Sequence, residues 1–431
     1  MSLYPAAPDI AGLAPEDAAL LERRRRALGP AYRLFYEHPL HIVRGEGVWL
    51  IDREGRRYLD AYNNVASVGH SHPHVVEALR RQAGILNTHT RYLSEPIVAY
   101  AERLLSWMPD AIGHVMFCCT GSEANDLALR IARAVTGAEG LIVTANAYHG
   151  VTSTVAEGSP SLGPDNPVGE TVWTVPAPHG AGGDVAADFT AGVAAALADM
   201  EAKGVRPAAL LVDTLFSSDG VYADPPGFLA LAVAAVRAAG GLFIADEVQA
   251  GFARTGPSIW GFARHGLEPD IVTMGKPMGN GHPLAGVAAR PDLIAEFGRK
   301  VRYFNTFGGN PVSAAVGMAV LDVIETEGLA ANAKAVGGRL AQGISALSQS
   351  HPLVGEVRSA GLFLGVELGA PDAAGATAAS RIVNHMREHG VLLSATGPAG
   401  NILKIRPPLI LKPAEADLIV ETLDGALRAL G

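Results

Sequence analysis

Between residues 100 and 300 short, wholly apolar runs alternate with amphipathic stretches, and this alternation restricts the possible folds more than any other feature. The runs at 115–119, 141–143, 208–216, 242–245 and 271–274 read as strands. The stretches at 124–135, 189–203 and 227–239 read as helices, the first with apolar residues at 124, 127, 128, 131 and 135. A strand that is apolar along its whole length must be covered on both faces. That requirement predicts an α/β fold built on a parallel sheet with helices on either side. The 50 glycines suit many tight strand-to-helix turns.

The flanks read differently. Residues 1 to about 40 form an amphipathic, partly helical lead-in, and 42–52 with 57–60 form a small meander of strands. A helix begins near Pro73, and a long helix at 311–325 closes the alternating region. Beyond it come a helix at 329–349, a strand pair near 354–368, a helix near 378–389, strands near Val391 and Leu403, and a last helix from Pro413. These make a separate α+β unit. The expected division is 1–60, 61–325 and 326–431, with 1–60 contributing to the smaller domain. The Gly/Pro-rich piece 158–183 reads as a low-order surface loop.

Charge and cysteine usage narrow the function classes. The net charge of −9 argues against nucleic acid or an anionic membrane as partner. The run Arg23-Arg24-Arg25-Arg26 follows Glu16, Asp17 and Glu22, as on a solvated helix face. The two cysteines, Cys118 and Cys119, are neighbours in sequence, too close for the usual disulfide, and favour a reducing compartment. With no signal pattern and no apolar run of membrane-spanning length, a cytoplasmic location is expected. His70, His72 and His74 lack the i, i+4 spacing and nearby acidic or thiol ligands of a zinc site, so no metal is expected.

The chemistry collects at strand ends. Lys276 follows the apolar run 271–274 within Gly275-Lys276-Pro277-Met278-Gly279, a loop composition. At the end of an open α/β sheet such a lysine can form an imine with a carbonyl cofactor once its amine is deprotonated. Elsewhere it would be one more solvated lysine. Thr120-Gly121-Ser122-Glu123-Ala124-Asn125 lies between a strand and a helix. Gly121 lets the backbone approach a ligand, Ser122 can cap the helix, and free N–H groups with the helix dipole favour a phosphate. Asp246 ends an apolar strand, where a carboxylate needs a partner such as an arginine or a protonated pyridine nitrogen. Tyr148 follows another strand and can stack on a flat ring or simply pack. Imine-forming lysine, phosphate cradle, pyridinium partner and aromatic cover are together the needs of pyridoxal 5'-phosphate.

From about 33 to 428 the chain also resembles the class III aminotransferases of the fold-type I pyridoxal phosphate enzymes. The likeness is carried by Gly121-Ser122-Glu123-Ala124-Asn125, Tyr148-His149-Gly150, Asp246-Glu247-Val248-Gln249, Arg254-Thr255-Gly256, Lys276 and Asn305-Thr306-Phe307-Gly308-Gly309-Asn310-Pro311. The resemblance implies a large domain with a mostly parallel seven-stranded sheet and a smaller α+β domain made from both chain ends. It implies that Lys276 bonds the cofactor and then moves the proton, and that Asp246 pairs with the ring nitrogen. Val248 would pack behind the ring, Gln249 lie near the ring hydroxyl, Gly121 and Ser122 bind the phosphate, and Tyr148 stack on the ring. Thr306 would reach the phosphate of a neighbouring subunit's cofactor, which implies a homodimer with shared active sites, able to pair into a tetramer. One departure stands out: where the family commonly has Glu-Pro, this chain has Asp213-Thr214.

Further stretches narrow the likeness to a subgroup, among them Tyr62-Asn63-Asn64-Val65, Thr88-His89-Thr90-Arg91-Tyr92-Leu93 and Lys404-Ile405-Arg406-Pro407-Pro408. The subgroup is similar to ω-transaminases, alanine–glyoxylate transaminases and ethanolamine-phosphate phospho-lyases. Arg91, Lys404 and Arg406, helped by Asn63, Asn64 and Ser394, are candidate donors to a substrate anion. That anion is a carboxylate in a transaminase and a leaving phosphate in a phospho-lyase. The expected activity is amino transfer from an amine or ω-amino acid to a 2-oxo acid of the pyruvate or glyoxylate type. The alternative is phosphate elimination from ethanolamine phosphate or a similar phosphorylated amine.

Overall fold

The computed structural model describes residues 12–179 and 183–430. The start of the lead-in, 1–11, and positions 180–182 of the Gly/Pro-rich piece lie outside the described residues. The arginine run falls on the helix Pro15–Leu28, where Arg25 meets Glu22 at 2.6 Å.

Strands β1 (Ile42–Glu46), β2 (Trp49–Asp52) and β3 (Arg57–Asp60) form an antiparallel meander. The central sheet holds β4 (His114–Cys118), β5 (Gly140–Thr144), β6 (Val172–Val175), β7 (Pro207–Asp213), β8 (Leu242–Asp246), β9 (Ile271–Met274) and β10 (Ala285–Ala289). Its spatial order is β4-β10-β9-β8-β7-β5-β6, and β10 alone runs antiparallel to its neighbours. Then follow β11 (Val354–Ser359), β12 (Leu364–Leu368), β13 (Val391–Leu392), β14 (Ser394–Thr396) and β15 (Ile402–Ile405). Four of these five make a sheet of order β11-β12-β15-β14. The fifth, β13, pairs in parallel with β3, tying the C-terminal segment to the N-terminal meander.

The central sheet is buried on both faces, as its continuous apolar runs require. On β7, Leu210 and Val212 join one apolar cluster, while Ala209 and Leu211 join another. On β8, Phe243 and Ala245 belong to the first and Ile244 to the second. This is the two-residue period of a pleated strand between two helix layers. Each fully buried aliphatic or aromatic side chain contributes about 1.5–3 kcal/mol.

Several expected bounds shift. The piece 158–183 is not wholly irregular, since it contains β6, the edge strand beside β5. Its four residues, Val-Trp-Thr-Val, are too few to stand out among the surrounding Pro and Gly. The strand expected at 208–216 ends at Asp213. Its carboxylate accepts from Leu215 N (3.0 Å) and Ser217 N (3.1 Å), and Phe216 turns to φ +50°. A side chain that bonds its own following backbone terminates a strand. The small-residue strand β10 and the helices Glu95–Leu105 and Pro291–Lys300 were not expected.

His70, His72 and His74 face three different carboxylates, Asp60, Glu327 and Asp322. Among the described residues no helix is long and apolar enough to cross a membrane.

Candidate active site

One cavity opens at the carboxyl ends of β5, β7, β8 and β9. It spans about 430 Å³ of space, open solvent at its mouth included, and is lined by Gly121, Ser122, Tyr148, His149, Gly150, Asp213, Asp246, Val248, Gln249 and Lys276. The connections that follow parallel strands all emerge at this edge, so residues far apart in sequence meet there.

Its floor begins at the helix Gly121–Thr136. Thr120, rather than Ser122, caps that helix: its hydroxyl accepts from Glu123 N, and the Glu123 carboxylate accepts from Thr120 N (2.9 Å). This reciprocal box satisfies one first-turn donor and leaves the N–H groups of Gly121 and Ser122 without intrahelical acceptors. Ser122 is thereby placed in the first turn, where its Oγ accepts from Val151 N at 3.1 Å. Gly150 adopts φ +144°, and a Cβ there would lie 2.5 Å from Ser122 Oγ. Only glycine fits beside that turn. A Cβ on Gly121 would press on Val248 at 3.0 Å.

Asp246 ends β8 and is nearly buried, 4% exposed. No arginine meets it in the described structure. Its Oδ2 accepts from Asn125 Nδ2 (2.9 Å) and lies 2.7 Å from His149 Nδ1, and its Oδ1 accepts from Val248 N (3.0 Å). A carboxylate accepts, so His149 carries its proton on Nδ1. Thr273 in turn donates to Asn125 Oδ1 at 2.6 Å. Three donors therefore fix one carboxylate, and His149 and Asn125 are holders that the sequence reading left without a role. His149 follows Tyr148 directly at the same strand end, which is the signal that was there to find.

Lys276 lies two residues past β9, on the same cavity as Asp246. Burial holds its amine below the ordinary lysine range, with the Arg406 charge acting the same way and Asp246 and Asp213 opposing. Tyr148 is 37% exposed and forms part of the rim. Burial, then Asp246, pushes its phenol upward. Asp213 lies level with Asp246 across β7 and β8; burial, then that neighbour, raises its carboxyl.

Most of the expected substrate-side residues gather behind Gln249. Its Oε1 accepts from Arg406 Nη1 (2.7 Å), its Nε2 donates to Ser217 Oγ, and its backbone O accepts from Asn64 Nδ2 (3.1 Å). Lys404 Nζ donates to Ser217 O (2.9 Å), and Ser394 Oγ donates to Lys404 O (3.5 Å). Burial and Arg406 drive the Lys404 ammonium well below its usual range. Asn63 turns inward on its own loop, its Oδ1 accepting from Val65 N. Arg91 and Thr306 do not line the cavity. Arg91 is exposed, with its guanidinium 3.8 Å from the Phe304 ring centroid, and Thr306 is exposed two residues beyond that ring.

The cavity suits a flat, phosphorylated aromatic aldehyde. Amine and carboxylate both face it, a tyrosine stands at its rim, and glycines beside a helix N-terminus leave a cradle that a Cβ would fill. Comparison with known proteins agrees. Residues 34–427 match the family described as aminotransferase class-III. A Drosophila melanogaster protein named alanine–glyoxylate aminotransferase 2-like is 41% identical over 92% of this chain and 84% of its own. A phospholyase from Arthrobacter, solved with phosphoethanolamine, superposes with a TM-score of 0.92 at 42% identity, covering 96% of this chain and all of the other. The ω-transaminase from Pseudomonas jessenii in complex with PMP gives 0.83 at 27% identity over 91% and 92%. The chain belongs to the pyridoxal-phosphate-dependent class III aminotransferases.

Proposed function

We propose that this protein is a transaminase that moves an amino group from an amine or ω-amino acid to a 2-oxo acid of the pyruvate or glyoxylate type. The observation that carries the reading is the pairing of Lys276 and Asp246 on one cavity above a helix N-terminus.

Bound pyridoxal phosphate supplies an aldehyde that takes up amines and a protonated ring that accepts the electrons of the neighbouring C–H bond. Lys276 is suited to bond that aldehyde because burial keeps its amine deprotonated more readily than a surface lysine. With its amine free, Lys276 would be the base that moves the proton of the substrate carbon. Asp246 would accept a hydrogen bond from the protonated ring nitrogen, and His149 and Asn125 keep its carboxylate aimed. Gly121 and Ser122 receive the phosphate at the helix N-terminus. Val248 and Tyr148 both line the cavity; Val248 would pack behind the ring and Tyr148 would stack on it. Gln249, which lines the same cavity, would stand on the side of the ring hydroxyl. Arg406 would meet the substrate carboxylate, with Lys404, Asn64 and Ser394 in the network behind it and Asn63 apart on its own loop.

In this reading the enzyme is a homodimer, with Thr306 and Arg91 facing the partner's site. The unit 61–325 holds the cofactor, and 1–60 with 326–431 form the smaller domain. The two free cysteines suit a reducing, cytoplasmic setting.

Phosphate elimination is the second reading. It is favoured by the buried cations Lys404 and Arg406 near the cavity and by the likeness to the phosphoethanolamine-bound phospholyase. The two separate in one assay pair. The holoenzyme is expected to form alanine from pyruvate only when an amine donor is present, and Lys276→Ala to lose about 10²–10⁴-fold of that rate. Release of phosphate from phosphoethanolamine without any oxo acid overturns the transaminase reading.

A further inference from the structure

Ser217 has no exposed surface, and each of its polar atoms is engaged. Its N–H donates to Asp213 Oδ2 (3.1 Å), and its carbonyl accepts from Lys404 Nζ (2.9 Å) and Thr396 Oγ1 (3.1 Å). Its hydroxyl accepts from Gln249 Nε2 (2.5 Å). Gln249 links onward to Arg406.

Donor and acceptor chemistry forces the direction of these bonds. Arginine only donates, so Gln249 must turn its oxygen to Arg406 and its amide nitrogen to Ser217. The Ser217 oxygen must then accept, and its backbone N–H donates onward to Asp213 Oδ2. We propose that Ser217 is the positioning residue of a one-way relay, Arg406 to Gln249 to Ser217 to Asp213, which pre-sets the Arg406 guanidinium for a substrate carboxylate. The proposal rests on the amine and 2-oxo acid reading of the site. Asp213 cannot play the part alone, because its carboxylate is occupied by Leu215 N and Ser217 N on its own loop. Ser217 and Gln249 carry its charge across to the guanidinium. A guanidinium held before the ligand arrives loses less rotamer freedom on binding, which raises affinity without any new contact. The relay also crosses from the central sheet to β15, since Arg406 directly follows that strand.

The test uses propionate, an unreactive carboxylate, titrated into the pyridoxal phosphate holoenzyme and followed by the cofactor's visible absorbance. S217A and D213N are each expected to weaken propionate by about tenfold. The double variant is expected to be no worse than either single one, because both break one chain. Cofactor retention of S217A on dialysis should stay within about twofold, a split that general loosening of the site would not give. Propionate affinity within about twofold of wild type in both single variants, or losses that multiply in the double variant, overturns the relay. Should S217A fail to fold, Ser217→Cys keeps a weak donor and acceptor. An intermediate loss then supports the relay and wild-type affinity overturns it. The titration needs no turnover, so a failure of amino transfer with propionate binding intact removes the substrate reading and leaves the relay standing.

Discussion

Asp246 and Glu247 are adjacent carboxylates with opposite surroundings. Asp246 faces the cavity, while Glu247 has no exposed surface and clamps the start of the 3-10 helix Gly261–His265. Its Oε1 accepts from Thr214 Oγ1 (2.7 Å) and Phe262 N (2.9 Å), and its Oε2 from Gly261 N (2.7 Å). Burial pushes the Glu247 carboxyl up to about 7 against the pull of those donors. Asp219 behaves alike: burial raises it to about 6 although it accepts from Thr144 Oγ1 (2.8 Å) and Asn146 N (3.2 Å). Below their unfolded values of 4.5 and 3.8 both groups are protonated in either state and cost nothing. As pH rises toward the folded values, the folded state binds more protons than the unfolded one, so these groups make stability fall. Asp219→Asn removes its share. Urea unfolding of the protein without cofactor should show the wild type losing about 1–3 kcal/mol relative to this variant between pH 4 and 6. A difference constant across that range would refute the assignment.

At the scale of elements, the helix Gly121–Thr136 does most to shape the cradle, and its stability depends on Thr120 and Glu123. Thr120→Ala should cost about 0.5–2 kcal/mol in urea unfolding. It should also reduce the protection that inorganic phosphate gives the protein without cofactor, because the first turn would fray where the phosphate is to sit. Stability loss with unchanged phosphate protection would separate the cap from the cradle. From the sequence, Ser122 was an equally good cap, since two hydroxyls lie two residues apart and only the backbone turn decides between them. The strands β5, β8 and β9 were legible because parallel burial writes an unbroken apolar run. The strand β6 was not, being four residues among Pro and Gly, and neither was β10, whose Ala-Gly-Val-Ala-Ala lacks branched bulk. The same logic divides the site. Lys276, Asp246, Gly121 and Tyr148 stand at strand ends and announce themselves. Ser217 does not, because its importance lies in contacts with Gln249, Thr396 and Lys404, which are far away along the chain.

At the scale of the molecule, one stretch of surface exposes large apolar side chains. Leu93 is fully exposed, Tyr92 is 65% exposed and Phe307 70%. These residues are neighbours in space as well. His89 stacks on Tyr92 with centroids 5.0 Å apart, its ring lies 5.9 Å from that of Phe304, and a Cβ on Gly309 would lie 3.1 Å from Thr90 Cγ2. Scattered exposed leucines need no explanation, but aromatic and aliphatic groups collected beside Arg91 and Thr306 suit a face that is buried by a second copy. Two charges placed in that face would be desolvated on association and would oppose it. Leu93→Glu combined with Phe307→Glu should therefore convert a particle of twice the 44.7 kDa chain mass to a single chain in size-exclusion light scattering. If Thr306 serves a partner's site as proposed, the variant should release cofactor on dialysis faster than wild type, while its secondary structure stays unchanged because both substituted side chains are exposed. A wild-type protein that runs as a single chain at micromolar concentration, yet retains cofactor and turns over, would show that each cavity is complete without Thr306 from a partner.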